Sequence, residues 1–221
     1  DLQVEGPAVI DGTIRAVGAA VPNENPASAG GSVYLAADSL AGGGLIDVSG
    51  AGGSSYQNAG GGRIAVVLTS GNSVSNVVLR AYGGTGGGSG PGAAGTIYVK
   101  KAVAEPGQKT LIVDNNNSIT ATNVYTELPP VVTDNPPDDL REVWMVLTNR
   151  AYVALTRDLT MGDLFIRTNT PARLYLEGHT LTLKTSFHSD WGDTNNVVYD
   201  GGRIVWLAGQ TTVMDLDGNN I

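Results

Sequence analysis

The chain has 221 residues, of which 31 are Gly, 10 are Pro and none is Cys, and 41% are hydrophobic. That is enough apolar side chain for a sizeable core, and the lack of Cys excludes a disulfide framework or a thiolate metal site. A net charge of −8 and a pI of about 4.6 argue against a nucleic-acid partner, because neutralising phosphates needs clustered Lys and Arg; no stretch approaches the roughly 18 consecutive apolar residues of a membrane span.

The sequence opens on Asp1, without a basic-plus-apolar leader, and Val4 and Ile10 already sit in a strand-like pattern. A piece of a longer chain is therefore expected. Two strand series follow. The first comprises Gly12–Gly18, Gly44–Gly50, Val77–Gly83 and Thr110–Asn115, with apolar anchors at 14, 46, 79 and 112. The second comprises Gly31–Leu35, Gly62–Val66 and Gly95–Val99, with anchors at 33, 64 and 97. Both advance by about 32 residues, which predicts a repeated unit of at least two strands with Gly-rich connections. Alternation turns Val33, Leu35, Ile46, Val48, Ile97 and Val99 inward and Tyr34, Asp47 and Tyr98 outward. If the units stack, equivalent positions lie about 4.8 Å apart. Arg15, Asp47 and Arg80 then form an outward column of alternating sign, each contact contributing a few tenths of a kcal/mol; chance surface charges would look the same.

The tracts Gly50–Gly62 and Gly83–Gly95 suit tight corners or mobile linkers. Neither ends in the Gly-Lys-Ser/Thr of a phosphate loop. Asn115, Asn116 and Asn117 read first as a turn and second as part of an Asn ladder.

After Ile119 the texture changes. Residues 128–139 hold two Pro-Pro pairs, Pro129-Pro130 and Pro136-Pro137, expected to form an exposed connection between residues 1–127 and a further β-rich part at 140–221. A short helical turn fits within Pro137–Met145. Short strands then resume near 143–147, 152–155, 164–166, 174–176, 181–183, 204–206 and 212–214, and Gly201–Trp206 echoes Gly61–Val66.

Candidate chemistry is sparse. His179 reads as a turn residue, and no His spacing suits zinc. In His188-Ser189-Asp190-Trp191-Gly192-Asp193, Trp191 offers a stacking face for a sugar, with Asp190 and Asp193 as carboxylates and outward Tyr34 and Tyr98 as further contacts; an ordinary loop is the alternative. Asp215, Asp217 and Asn219 around Gly218 loosely resemble the start of a calcium loop, against a strand-end turn; otherwise no cofactor is expected.

The units Gly30–Leu35, Gly61–Val66 and Ala94–Val99 resemble the Gly-rich repeats of large bacterial surface and secreted proteins with right-handed parallel β-helix folds, adhesin-like and autotransporter-passenger-like chains among them. Ala94 departs from the pattern, standing where the other units have Gly30 and Gly61. The resemblance covers about residues 1–120. It implies an all-β parallel β-helix, a solenoid with coils of about 32 residues, located outside the cell or on its surface. A structural or adhesive role is expected ahead of catalysis, with self-association into a fibre or docking on the rest of a parent chain. The alternative is a carbohydrate-binding or polysaccharide-degrading protein, since related β-helices include pectinases. Their catalytic constellations are not matched, so no catalytic residue is carried over.

Overall fold

A computed structural model describes residues 1–20, 27–53, 58–86, 90–102, 108–120, 123–128, 140–167, 171–189 (backbone alone at 185–189) and 196–207. The first half contains β1 (Leu2–Gln3), β2 (Ala8–Val9), β3 (Thr13–Arg15), β4 (Ser32–Ala37), β5 (Leu40–Ala41), β6 (Leu45–Asp47), β7 (Arg63–Leu68), β8 (Val78–Arg80) and β9 (Thr96–Lys100). The second contains β10 (Lys109–Asp114), β11 (Thr126–Glu127), a 3-10 turn at Leu140–Glu142, β12 (Val143–Thr148), β13 (Tyr152–Ala154), β14 (Leu159–Ile166), β15 (Arg173–Tyr175), β16 (Thr180–Ser189), β17 (Val197–Val198) and β18 (Arg203–Trp206). The protein is all-β and its strands pair mostly in parallel.

Among the described residues four sheets form: nine strands in the order β1-β4-β7-β9-β10-β12-β14-β16-β18, four in the order β11-β13-β15-β17, three in the order β3-β6-β8, and the pair β2-β5. In the first half every strand pairing is parallel and spans one repeat of the sequence, as in Leu2↔Leu35, Ser32↔Arg63, Arg63↔Thr96, Thr13↔Leu45, Leu45↔Val78 and Ala8↔Leu40. Register follows the apolar alternation, because a slip of one residue would turn the buried set to solvent. Val33, Leu35, Ile64, Val66, Ile97 and Val99 accordingly share one core with Ile46 and Val48.

Glycine lets the sheets of this half approach each other backbone to backbone. Gly31, Gly62 and Gly95 donate their N–H groups to the carbonyls of Ala16, Val48 and Ala81 at 2.7, 2.8 and 2.6 Å. A methyl on Gly62 would overlap the Gly31 carbonyl oxygen, and one on Gly61 would overlap that of Ala81. Ala94 carries the methyl that Gly30 and Gly61 cannot, and it is buried in a second core with Leu111 and Val113. The departure from the Gly-Gly pattern therefore falls where packing passes from backbone to side chains.

At that point the long sheet reverses. β10 pairs antiparallel with β9, with partners Lys109↔Lys100, Thr110↔Val99, Leu111↔Tyr98 and Ile112↔Ile97. The expectation that Thr110–Asn115 continues the series of Ile14, Ile46 and Leu79 is corrected: β10 lies in the long sheet, not beside β8. Alternation marks a half-buried strand but carries no information on its neighbour's direction. Directly opposed residues of an antiparallel pair share a face. Ile97 and Ile112 thus pack on the first core, while Leu111 joins the second with Tyr98 packed against it. The two cores lie on opposite faces of one continuous sheet.

Asn115 and Thr126 tie the second half to the first through their side chains. Asn115, 1% exposed, accepts the N–H of Gly83 (3.0 Å) and donates to the carbonyls of Ser118 (2.9 Å) and Gly92 (3.3 Å). The Thr126 hydroxyl donates to the Ala94 carbonyl at 2.7 Å.

Beyond β12 the pairing step shortens to roughly 20 residues, the length of a more compact repeat unit. Partners include Trp144↔Asp163, Leu159↔Leu181, Thr180↔Arg203, Tyr152↔Arg173 and Leu174↔Val197, with an irregularity between Met161 and Asp163. The longer step expected along the chain is confined to the first half and the β10–β12 link, Lys109↔Val143. The change has a local cause: tight turns replace the glycine tracts. Asn116-Asn117, Asn149-Arg150, Glu177-Gly178 and Asp200-Gly201 all hold both residues at positive φ. Each pair is closed by a bond across it, from the N–H of Ser118, Ala151, His179 and Gly202 to the carbonyl of Asn115, Thr148, Leu176 and Tyr199. This is the pattern of type I′ turns. A single core spans Ala94 to Ile204, including Leu128 on one side of the Pro-rich stretch and Val143 on the other. Residues 129–139 themselves lie outside the described residues, as does the expected strand at 212–214.

Candidate functional site

One outer face of the four-stranded sheet brings three tyrosines and an arginine together. Val153, Leu174 and Val197 point into the core, so alternation turns Tyr152, Arg173 and Tyr175 outward. Thr126 is also buried, which leaves Tyr125 and exposed Glu127 on the outer side. The rings touch: Tyr125 and Tyr175 have centroids 4.5 Å apart at 42°, and Tyr152 and Tyr175 are 6.2 Å apart, edge to face. Ala154, the pairing partner of Tyr175, is small enough to let them meet. The Arg173 guanidinium sits 5.8 Å from the Tyr152 ring centre, a cation–π arrangement, and its Nε is buried without a hydrogen-bond partner.

Carboxylates surround the rings. Tyr125 donates its hydroxyl to Asn123 Oδ1 at 3.2 Å. Loss of solvent contact, then Tyr175, Glu177 and Asp200, push the Tyr125 phenol above its ordinary range. Glu177 and Asp200 occupy equivalent first positions of two type I′ turns, which brings both to the same edge of the face. Apolar rings beside an arginine and carboxylates can stack on a ligand and hydrogen-bond its polar rim.

Arg15, Asp47 and Arg80 are consecutive partners in β3-β6-β8. Among the described residues no ion pair forms between them; Asp47 accepts instead from the Ser49 N–H (3.0 Å) and hydroxyl (2.7 Å). Tyr82 lies beside this column, and its phenol is pushed up first by burial and then by Asp114 and Asp47, against Arg80. Tyr34 and Tyr98 share an outward row of the long sheet with Ala65 between them. Tyr34 is 41% exposed, whereas Tyr98 is partly buried against the second core. They are two strands apart and make no common site with the tyrosine face. Asp190, Trp191 and Asp193 lie outside the described residues, as do Asp215, Asp217 and Asn219. Among the described residues no group of three or more His, Cys, Asp or Glu side chains could hold a metal ion. His179 follows a turn, with Nδ1 3.7 Å from Asp158 Oδ1.

Sequence reasoning missed Tyr125, Tyr152, Tyr175 and Arg173. Part of the signal was present: Tyr125 and Tyr152 are spaced as Thr126 and Val153 pair, while Tyr175 lies two residues beyond Arg173, the partner of Tyr152. The longer step carried over from the first half does not superimpose them.

Comparison with protein-family models, with curated proteins and with solved structures finds no match in any of the three.

Proposed function

We propose that this chain is a β-solenoid module of a bacterial extracellular or cell-surface protein, with a structural or adhesive role. The observation that carries the reading is the common pairing step of the first half, which recurs in three separate sheets as Ala8↔Leu40, Thr13↔Leu45 and Ser32↔Arg63. A chain that passes each face once per winding produces such a step. The Gly-rich units that resemble bacterial β-helix proteins add to it. Among the described residues β1 closes one end of the long sheet with β4 as its partner; Leu2 within it and Val4 just after it are 41% and 40% exposed. An edge of this kind accepts a further strand, from a parent chain or from another copy. Displayed on a non-adherent bacterium, the chain is expected to raise retention on coated and bare surfaces, and retention equal to an empty display scaffold would contradict the adhesive role. Electron microscopy over a range of concentrations tests end-to-end assembly: filaments support it and uniformly compact monomers oppose it.

The tyrosine face favours a second reading, a carbohydrate-binding module. Release of reducing ends from a bound polysaccharide would extend that reading to degradation.

A further inference from the structure

We infer that the outer face of β11-β13-β15 is a binding site for a neutral polysaccharide, with Tyr125, Tyr152 and Tyr175 stacking on its sugar rings and Arg173, Glu127, Glu177 and Asp200 meeting its hydroxyls. This deepens the carbohydrate-binding reading and depends on it.

The shape of the face selects the ligand class. The rings lean on one another at 42° and at an edge-to-face angle, leaving no parallel-walled slot between them for a proline side chain and no gap for a quaternary ammonium group. What they offer is a shallow apolar surface, which suits the flat C–H face of a pyranose. They span three adjacent strands, about 10 Å of sheet, so the surface accommodates a chain of sugars better than a single unit.

The polar rim carries the second part. Arg173 holds its guanidinium against Tyr152, and its Nε lacks a partner. A partly desolvated cation short of an acceptor is a poor choice for a purely structural position. A sugar hydroxyl or ring oxygen reaching the guanidinium would recover part of that cost. On the neighbouring rows, Glu127 and the turn residues Glu177 and Asp200 supply acceptors for hydroxyl pairs. These carboxylates, and the net charge of −8, act against a polyanionic chain such as a polyuronate.

The test is calorimetric titration of the full chain with hexasaccharides of glucose, mannose, xylose and N-acetylglucosamine, alongside hexagalacturonate and a proline-rich peptide. At least one neutral hexasaccharide is expected to bind, with hexagalacturonate and the peptide weaker. Tyr152→Ala and Tyr175→Ala are each expected to lower the affinity about tenfold, the worth of one good aromatic stack. Tyr175→Phe, which keeps the ring, should stay within about threefold, and Arg63→Ala on the long sheet should match the parent. Circular dichroism and melting curves confirm that each variant folds. No binding by any neutral hexasaccharide, binding unchanged in folded Tyr152→Ala and Tyr175→Ala, or preference for the peptide or the polyuronate would overturn the inference. Surface retention that persists in a Tyr152→Ala/Tyr175→Ala variant would locate adhesion elsewhere and leave the structural module standing.

Discussion

At the scale of single residues, glycine marks where backbones meet. Gly62 and Gly12 look alike in sequence, since each opens a strand, but their surroundings differ. A methyl on Gly62 would strike the Gly31 carbonyl, whereas nothing lies within 4 Å of the one Gly12 would carry. Gly62→Ala is expected to cost about 3 kcal/mol, the upper end for overpacking, and Gly12→Ala less than about 1 kcal/mol. Denaturant unfolding of the two variants checks the contrast. Equal losses would mean that these glycines act through chain flexibility alone.

At the scale of elements, Asn115 is the junction. It directly follows β10 and serves three backbone groups, Gly83 N–H and the Gly92 and Ser118 carbonyls, two of them in the last glycine tract of the first half. Asn115→Ala leaves the Gly83 N–H without that acceptor in a buried position and is expected to destabilise the protein by about 1–3 kcal/mol. Denaturant midpoints measure this, and a change below about 0.5 kcal/mol would show that water replaces the side chain. The strands themselves were legible in the sequence: Val33 to Leu35, Ile46 to Val48 and Ile97 to Val99 bury the alternate residues that their pattern demands. What could not be read was strand direction at Ile112, because an alternating strand looks the same whether its neighbour runs with it or against it. The shorter step of the second half was hidden for a related reason. It is set by turns at Asn149-Arg150 and Glu177-Gly178, where Arg and Glu occupy positive-φ positions that usually signal Asn, Asp or Gly. The tyrosine face depends on that step, so it stayed invisible until pairing was known.

At the scale of the whole molecule, one nine-stranded sheet serves two cores. The first core, from Ala8 to Val99, and the second, from Ala94 to Ile204, cover opposite faces. The outer row of the first half therefore stays exposed until the second core begins, and this is why Tyr34 is open while Tyr98, in the same row, packs against the second core. The tyrosine face belongs to a separate sheet, so a ligand there would leave both cores undisturbed. In the proposed solenoid, the reversed strand direction and the change of core face together preserve the sense of winding from the first half to the second.

The reversal at β9–β10 supports this whole arrangement, and the absence of native Cys makes it directly testable. Lys100 and Lys109 are opposed partners in the antiparallel pair; such partners have Cα atoms about 4.5–5.5 Å apart, within disulfide reach. A Lys100→Cys/Lys109→Cys variant is expected to oxidise to an intramolecular disulfide while keeping its fold. If it stays reduced, and an Arg80→Cys/Val113→Cys variant closes instead, β10 would run parallel beside β8 and the two-faced sheet would be contradicted.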